Sequence, residues 1–239
     1  METSNLLITR ETFPCSDGFS MPAYLTRPAG DSKLPGLLFI YEVYGLTKEM
    51  QRVANDFAAA GYAVLIPDLF KRGSWFSCVR KCMADLKAGQ GRNVQDLLDA
   101  RQWLITRDFA DPNHIAVIGF CLGGAFALVL AKTGLFYVAA PFYGYAPERL
   151  DGACPIVASY AARDKTTVPD FAKIKNEVQR LNIPNDLKLY PDVGHNFMNH
   201  PPNPVLGFIG SIAPIHGGYN AQAAADATER VLRFLRTHM

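Results

Sequence analysis

Gly119-Phe120-Cys121-Leu122-Gly123 is the part of this 239-residue chain best suited to covalent chemistry. The apolar run Ile115 to Ile118 precedes it and the Ala-rich stretch from Gly124-Ala125-Phe126 follows it. That order predicts a strand, a sharp bend and a helix, with the sulfur at the bend. Such a bend leaves almost no room for side chains two positions before and after the nucleophile, and Gly119 and Gly123 meet that need. At a helix N-terminus the unpaired N–H groups and the dipole favour a thiolate. With five Cys and 19 Gly in the chain, composition alone predicts about 0.03 such matches. The plainer explanation is a cysteine buried in a glycine turn, since free cysteine is among the most buried residue types.

A nucleophilic thiol needs a base, a group that orients the base, and donors for a developing oxyanion. Asp164, in Ala161-Ala162-Arg163-Asp164-Lys165, follows an expected strand ending at Tyr160. His195, in Val193-Gly194-His195-Asn196-Phe197, follows another ending at Tyr190. Loops at the C-terminal ends of parallel strands are where such a sheet presents its site. Taken alone, a loop aspartate is usually a turn residue, and a lone histidine is more often structural. His114, His200, His216 and His238 compete with His195, but none follows a late strand in this way. The order Cys121, Asp164, His195 reads as nucleophile, acid and base. The Leu122 N–H, first in the helix, is an expected oxyanion donor. The chemistry would be thiolate attack on an ester or lactone carbonyl, then release of the thioester by water that His195 activates. A thiolate also leaves well, so activated esters and lactones suit this site better than amides.

These residues must be carried by alternating strands and helices. Segments 5–13 and 21–27 predict an antiparallel pair around Ser16-Asp17-Gly18. Strands are predicted at Leu37 to Glu42, Tyr62 to Pro67, the Cys121 run after an Asp111-Pro112-Asn113 turn, Val138 to Tyr143, Ile156 to Tyr160 and Leu187 to Tyr190. Helices are predicted after the Thr47 N-cap as far as Gly61, and over Val94 to Ile105, Phe171 to Leu181 and Gln222 to Thr237. Residues 71–92 carry no clear period. The result is one α/β domain over 1–239, with a mostly parallel central sheet and helices on both faces.

Composition narrows the function classes. Apolar residues at 49% and charged residues at 19% are ordinary globular usage. A net charge of +2, with no basic stripe interleaved with aromatics, leaves nucleic acid an unexpected partner. Ile115 to Ala131 is free of charge, but it is short for a membrane span and Gly123-Gly124 divides it. Met1 to Asn5 lacks a basic start before an apolar core, so a cytoplasmic location is the expectation. Cys15, Cys78, Cys82 and Cys154 form no disulfide framework, and Cys78 and Cys82 read as packed thiols rather than a metal pair. No cofactor or metal is expected.

Across nearly the whole chain, a set of motifs resembles the dienelactone hydrolase family of α/β-hydrolases. They are Met21-Pro22-Ala23-Tyr24-Leu25, Tyr41-Glu42-Val43-Tyr44-Gly45-Leu46, Pro67-Asp68-Leu69, Gly119 to Gly124, Phe142-Tyr143-Gly144 and Gly194-His195-Asn196-Phe197. The resemblance implies the α/β-hydrolase fold and a triad of Cys121, Asp164 and His195. It implies that Glu42 lies near the thiol and takes part in forming the thiolate, as a carboxyl with a burial-raised pKa is able to do. It implies Val43 N–H as the second oxyanion donor and Tyr143 as a pocket residue, with Phe197 and Asn199 as further substrate contacts. Arg72 matches one of two arginines that hold a substrate carboxylate. The second would fall at Asn199, where a neutral amide cannot bind a carboxylate in the bidentate way of arginine. The proline-rich stretch from Asn199 to Tyr219 follows His195 and is expected at the pocket rim.

The implied partner is a small ester or lactone, with the chain a monomer or weak homodimer. Two rival readings remain: a general carboxylesterase of neutral short-chain esters, favoured by Asn199, and a redox-sensing protein using an acidic exposed thiol. A sensor needs neither a triad nor paired oxyanion donors.

Overall fold

The computed structural model describes residues 5–202, 211 and 213–239. Its centre is an eight-stranded sheet in the order β1-β2-β4-β3-β5-β6-β7-β8. The strands are β1 (Leu6–Pro14), β2 (Ser20–Pro28), β3 (Leu34–Ile40), β4 (Ala63–Pro67), β5 (Ala110–Phe120), β6 (Ala139–Phe142), β7 (Ile156–Ala161) and β8 (Asn185–Tyr190). β1 and β2 form the antiparallel pair, closing at Pro14↔Ser20, with Gly18 at φ 83° in the turn. β2 also runs antiparallel to β4, and every later pairing is parallel.

The helices are α1 (Lys48–Ala59), α2 (Trp75–Ala88), α3 (Arg92–Ile105), α4 (Leu122–Ala131), α5 (Val168–Leu181) and α6 (Ala221–His238). α1 starts where its residue types predict: the Thr47 side chain accepts from Met50 N–H at 3.2 Å. Its apolar stripe, Met50, Val53, Ala54, Phe57 and Ala58, is buried. All residues of β5 from Ile115 to Phe120 are buried, which requires cover on both faces of the sheet. The uncharged stretch from Ile115 to Ala131 is thus the end of β5, a bend, and α4. No helix among the described residues is long and apolar enough to cross a membrane.

Three departures from the expected elements matter for the site. The unassigned stretch 71–92 contains α2, capped by Ser74 and ended by Gly89 at φ 66°. Only Cys78 and Cys82 of α2 are buried, so no apolar stripe marks it. The expected turn at Asp111-Pro112-Asn113 lies inside β5, whose pairing with β3 jumps from Pro35↔Asp111 to Gly36↔Ile115. Extra residues on one strand are accommodated as an irregularity there. Finally, β3 stops at Ile40 rather than Glu42, because the chain turns and Gly45 N–H bonds to the Glu42 carbonyl at 2.9 Å. Glu42 therefore sits in a loop at the C-terminal edge of the sheet, on the same edge as the bend at Cys121.

Candidate active site

The bend between β5 and α4 is built as its residue types demand. Cys121 has φ 54° and ψ −114°, a backbone conformation uncommon outside glycine. A Cβ on Gly119 would lie 1.9 Å from the Gly123 carbonyl oxygen, and one on Gly123 would lie 2.0 Å from that of Ile40. Both glycines are required by backbone on backbone, which no rotamer change relieves. The second contact also shows how closely α4 is pressed against the end of β3. Cys121 itself is half-buried and packs against the core.

His195 and Asp164 meet this bend from the ends of β8 and β7. His195 Nδ1 lies 2.6 Å from Asp164 Oδ2, and its ring faces Cys121 closely enough for the sulfur to act on its pKa. Burial alone would lower the His195 pKa. The Cys121 charge facing it, with the Asp164 hydrogen bond, outweighs burial and carries it to about 10. Asp164 is fully buried and accepts from Thr166 N–H at 3.0 Å, from the Thr166 hydroxyl at 2.6 Å and from the Thr167 hydroxyl at 2.6 Å. Burial raises its pKa, but the bonds from His195, Thr166 and Thr167 prevail and hold it below the ordinary value. Asp164 is thus fixed as a carboxylate that orients the imidazole.

The 213–219 segment supports His195 directly. His195 N–H bonds to the Ile215 carbonyl at 2.8 Å, and Gly218 N–H bonds to the His195 carbonyl at 3.0 Å. A Cβ on Gly194 would lie 1.7 Å from the His216 carbonyl oxygen, so this contact also demands glycine. The expected rim segment is here a strap for the histidine; residues 203–210 and 212 lie outside the described residues.

Glu42 is buried, and its Oε1 accepts from Asn199 Nδ2 at 2.9 Å and from the Tyr143 hydroxyl at 3.0 Å. Burial raises its pKa more than the Asn199 and Tyr143 donors and the nearby His195 charge lower it. Tyr143 sits at φ 39°, with its ring 4.8 Å from that of His195. Among the described residues, the N–H groups of Leu122 and Val43 have no intramolecular acceptor. Both lie where the bend meets the β3 loop, as paired oxyanion donors would.

Four expected substrate contacts are engaged inside the protein. Arg72 gives Nε and Nη2 to Asp96 at 2.5 and 2.7 Å, and Nη1 and Nη2 to Asp17 at 2.8 and 2.9 Å. Its guanidinium also lies 4.3 Å over the Phe19 ring. Each nitrogen bonds a carboxylate inside the protein and one Nη1 hydrogen is left over, so Arg72 is held as a structural ion pair rather than as a free carboxylate clamp. Phe197 is fully buried and buttresses Tyr143 and Tyr190, at 5.4 and 5.0 Å between ring centroids. Tyr143 and Asn199 are likewise buried and hold Glu42, with Tyr143 still beside the His195 ring as expected and the Asn199 Oδ1 without a partner among the described residues.

Sequence reasoning missed several supports. Thr166 and Thr167 follow Asp164 as a visible cue, while the 213–219 strap has none. Trp75 donates its indole N–H to the Val43 carbonyl at 2.7 Å. Tyr44 lies close enough to Glu42 and Cys121 for their charges to raise its pKa, behind the larger effect of burial. Among the described residues one group of three metal-ligand types, Cys15, Asp96 and Asp99, lies close together. Its carboxylates are already paired with Arg72 and Arg92.

Comparison with known proteins follows the same lines. A family model described as "Dienelactone hydrolase family" matches residues 21–239. A putative carboxymethylenebutenolidase of Salmonella typhi is 25% identical, over 92% of this chain and 83% of that protein. The carboxymethylenebutenolidase of Rhodococcus opacus is 22% identical, over 85% of this chain and 81% of that one. Among solved structures, a dienelactone hydrolase-like promiscuous phosphotriesterase from metagenomic libraries superposes with TM-score 0.80 at 20% identity, over 97% of this chain and 98% of that one. A putative dienelactone hydrolase from Klebsiella pneumoniae gives TM-score 0.76 at 20% identity, over the same shares of each chain.

Proposed function

The chain belongs to the dienelactone hydrolase family of α/β-hydrolases, and on that premise we propose that it hydrolyses a small ester or lactone through Cys121 by way of a thioester. The observation that carries this reading is the Asp164–His195 pair, 2.6 Å apart, facing a sulfur held at φ 54° at the start of α4.

In this mechanism the sulfur reacts as a thiolate opposite a protonated His195, whose raised pKa favours holding the proton. The sulfur attacks the carbonyl carbon, forming a C–S bond and an oxyanion that the Leu122 and Val43 N–H groups stabilise. As the tetrahedral species collapses, the C–O bond to the alcohol breaks and His195 gives that oxygen its proton. In the second half His195 removes a proton from water, the hydroxide attacks the thioester, and the C–S bond breaks to return thiolate and release the acid. Glu42 serves as a further proton acceptor beside the pair, made basic by burial.

Engagement of Arg72 by Asp17 and Asp96, and of Asn199 by Glu42, favours an uncharged ester over an anionic lactone. The expected setting is a monomer or weak homodimer acting on a small molecule in the cytoplasm. Turnover of a panel of esters and lactones by wild type and Cys121→Ala tests the reading: the substitution is expected to abolish hydrolysis, and unchanged activity would remove the mechanism.

A further inference from the structure

We propose that Trp75 has two roles beside the reacting centre: its indole N–H clamps the backbone of the Glu42–Gly45 loop, and its exposed ring receives the planar apolar part of an uncharged ester. The first role rests on the oxyanion function proposed above for Val43. The second makes Trp75 a specificity-determining residue.

The loop is held from two sides. On one, the Tyr41 hydroxyl accepts from Phe70 N–H at 2.8 Å and donates to Asp68 at 3.2 Å, and the Tyr41 ring meets that of Phe70 edge-on at 5.0 Å. On the other, the Trp75 indole N–H donates to the Val43 carbonyl at 2.7 Å. Indole has a single polar atom, a donor, and here it is satisfied. That bond fixes the peptide after Val43, adjoining the one that carries the Val43 N–H, which meets no acceptor among the described residues. A loop with its donor held in place needs no reorganisation as charge develops.

The ring itself is not packed away. Trp75 is 54% exposed, and Phe76, next in sequence at the start of α2, is 73% exposed. Isolated exposed apolar residues need no explanation, but the Trp75 ring is anchored to a site loop and offers its face to an apolar ligand. Half-buried Tyr44 continues the same loop towards Cys121.

Charge selects the ligand. Glu42 and Asp164 place two carboxyl groups at the site, and the one basic side chain bonded to either among the described residues is His195, already taken by Asp164. Arg72, three residues before Trp75, has its nitrogens bonded to Asp17 and Asp96, with a single Nη1 hydrogen to spare. A carboxylate on the substrate would enter a field of its own sign, whereas an aryl or other planar apolar group gains the ring face.

The test uses ethyl acetate, benzyl acetate and 4-carboxybenzyl acetate, which share an acyl group and release primary alcohols, with wild type, Trp75→Phe and Trp75→Ala. Wild type is expected to prefer benzyl over ethyl acetate by about tenfold in kcat/KM and to turn over the carboxylated ester at least about tenfold more slowly. Trp75→Ala erases the benzyl preference through KM. Trp75→Phe keeps a ring but loses the N–H; it retains the preference and lowers kcat about three- to tenfold for all three esters. A benzyl-to-ethyl ratio unchanged in Trp75→Ala would overturn the ring's role, and an unchanged kcat in Trp75→Phe would overturn the clamp. Calorimetric binding of benzyl acetate to Cys121→Ala, with and without Trp75→Ala, scores the ring even if wild type hydrolyses no ester. Failure of the catalytic reading is instead seen as absent turnover. If Trp75→Ala dissociates a dimer in sedimentation and leaves benzyl acetate binding intact, the ring belongs to a subunit contact and the proposal falls.

Discussion

Replacing Gly123 by alanine is expected to damage catalysis far more than stability. The new Cβ would sit 2.0 Å from the Ile40 carbonyl oxygen and 2.9 Å from that of Tyr41, where ordinary contact begins at 3.4 Å. Both obstacles are backbone, so either α4 or the end of β3 must retreat by about 1.4 Å. Overpacking of this kind costs about 1–3 kcal/mol of stability. The displaced segments carry the proposed oxyanion donors, Leu122 on one side and Val43 on the other. A shift of about 1 Å in a reacting group costs about a hundredfold in rate. Gly134→Ala is the control: it also carries a positive φ, of 71°, but nothing lies within 4 Å of its would-be Cβ. It is expected to lose about 1 kcal/mol with unchanged kcat/KM. Thermal melts and kcat/KM on one activated ester, measured for both variants, read the two effects separately. A Gly123→Ala protein with wild-type melting and wild-type rate would refute the assigned bend.

Three further outcomes follow from the site. Arg72→Ala should cost about 2–3 kcal/mol, the low end for breaking a buried pair because Arg92 still reaches Asp96, and leave the ratio of anionic to neutral ester turnover unchanged; a selective loss on anionic esters would restore Arg72 as a clamp. Glu42 has a pKa raised by burial, so its unfolded state ionises first and the folded state loses stability as pH rises above the ordinary carboxylate range. Glu42→Gln should therefore raise the Tm at pH 8 and change it little at pH 4, and a gain at pH 4 alone would contradict the burial. Nitrogen NMR of labelled histidine should show His195 titrating near 10 in wild type and well lower in Cys121→Ala, where the facing charge is gone; an unchanged value would mean that the sulfur does not pair with the ring.

What the amino-acid order reveals here is whatever depends on spacing along the chain. The bend at Cys121 is legible because its two glycines are two residues away on either side, and Asp164 and His195 because each follows an apolar run. The Thr47 cap and the α1 stripe are legible for the same reason. Features set by distant partners are not. Arg72 looks like a free loop cation until Asp17, 55 residues before it, and Asp96, 24 after it, close on it. Asn199 is read as a substrate contact until Glu42, 157 residues away, takes its amide. α2 escapes notice because it buries two cysteines and exposes Trp75 and Phe76, the reverse of an amphipathic pattern. The strap of residues 213–219 works through backbone bonds, which leave no mark on side-chain choice beyond Gly194.

The most direct measurement is intact-mass spectrometry of the protein quenched within milliseconds of mixing with an activated ester. The account predicts a single added acyl group, located on the peptide that contains Cys121, formed and lost at the rate of turnover and missing in Cys121→Ala. Hydrolysis that proceeds with no such species, or with the acyl group on another residue, would contradict it.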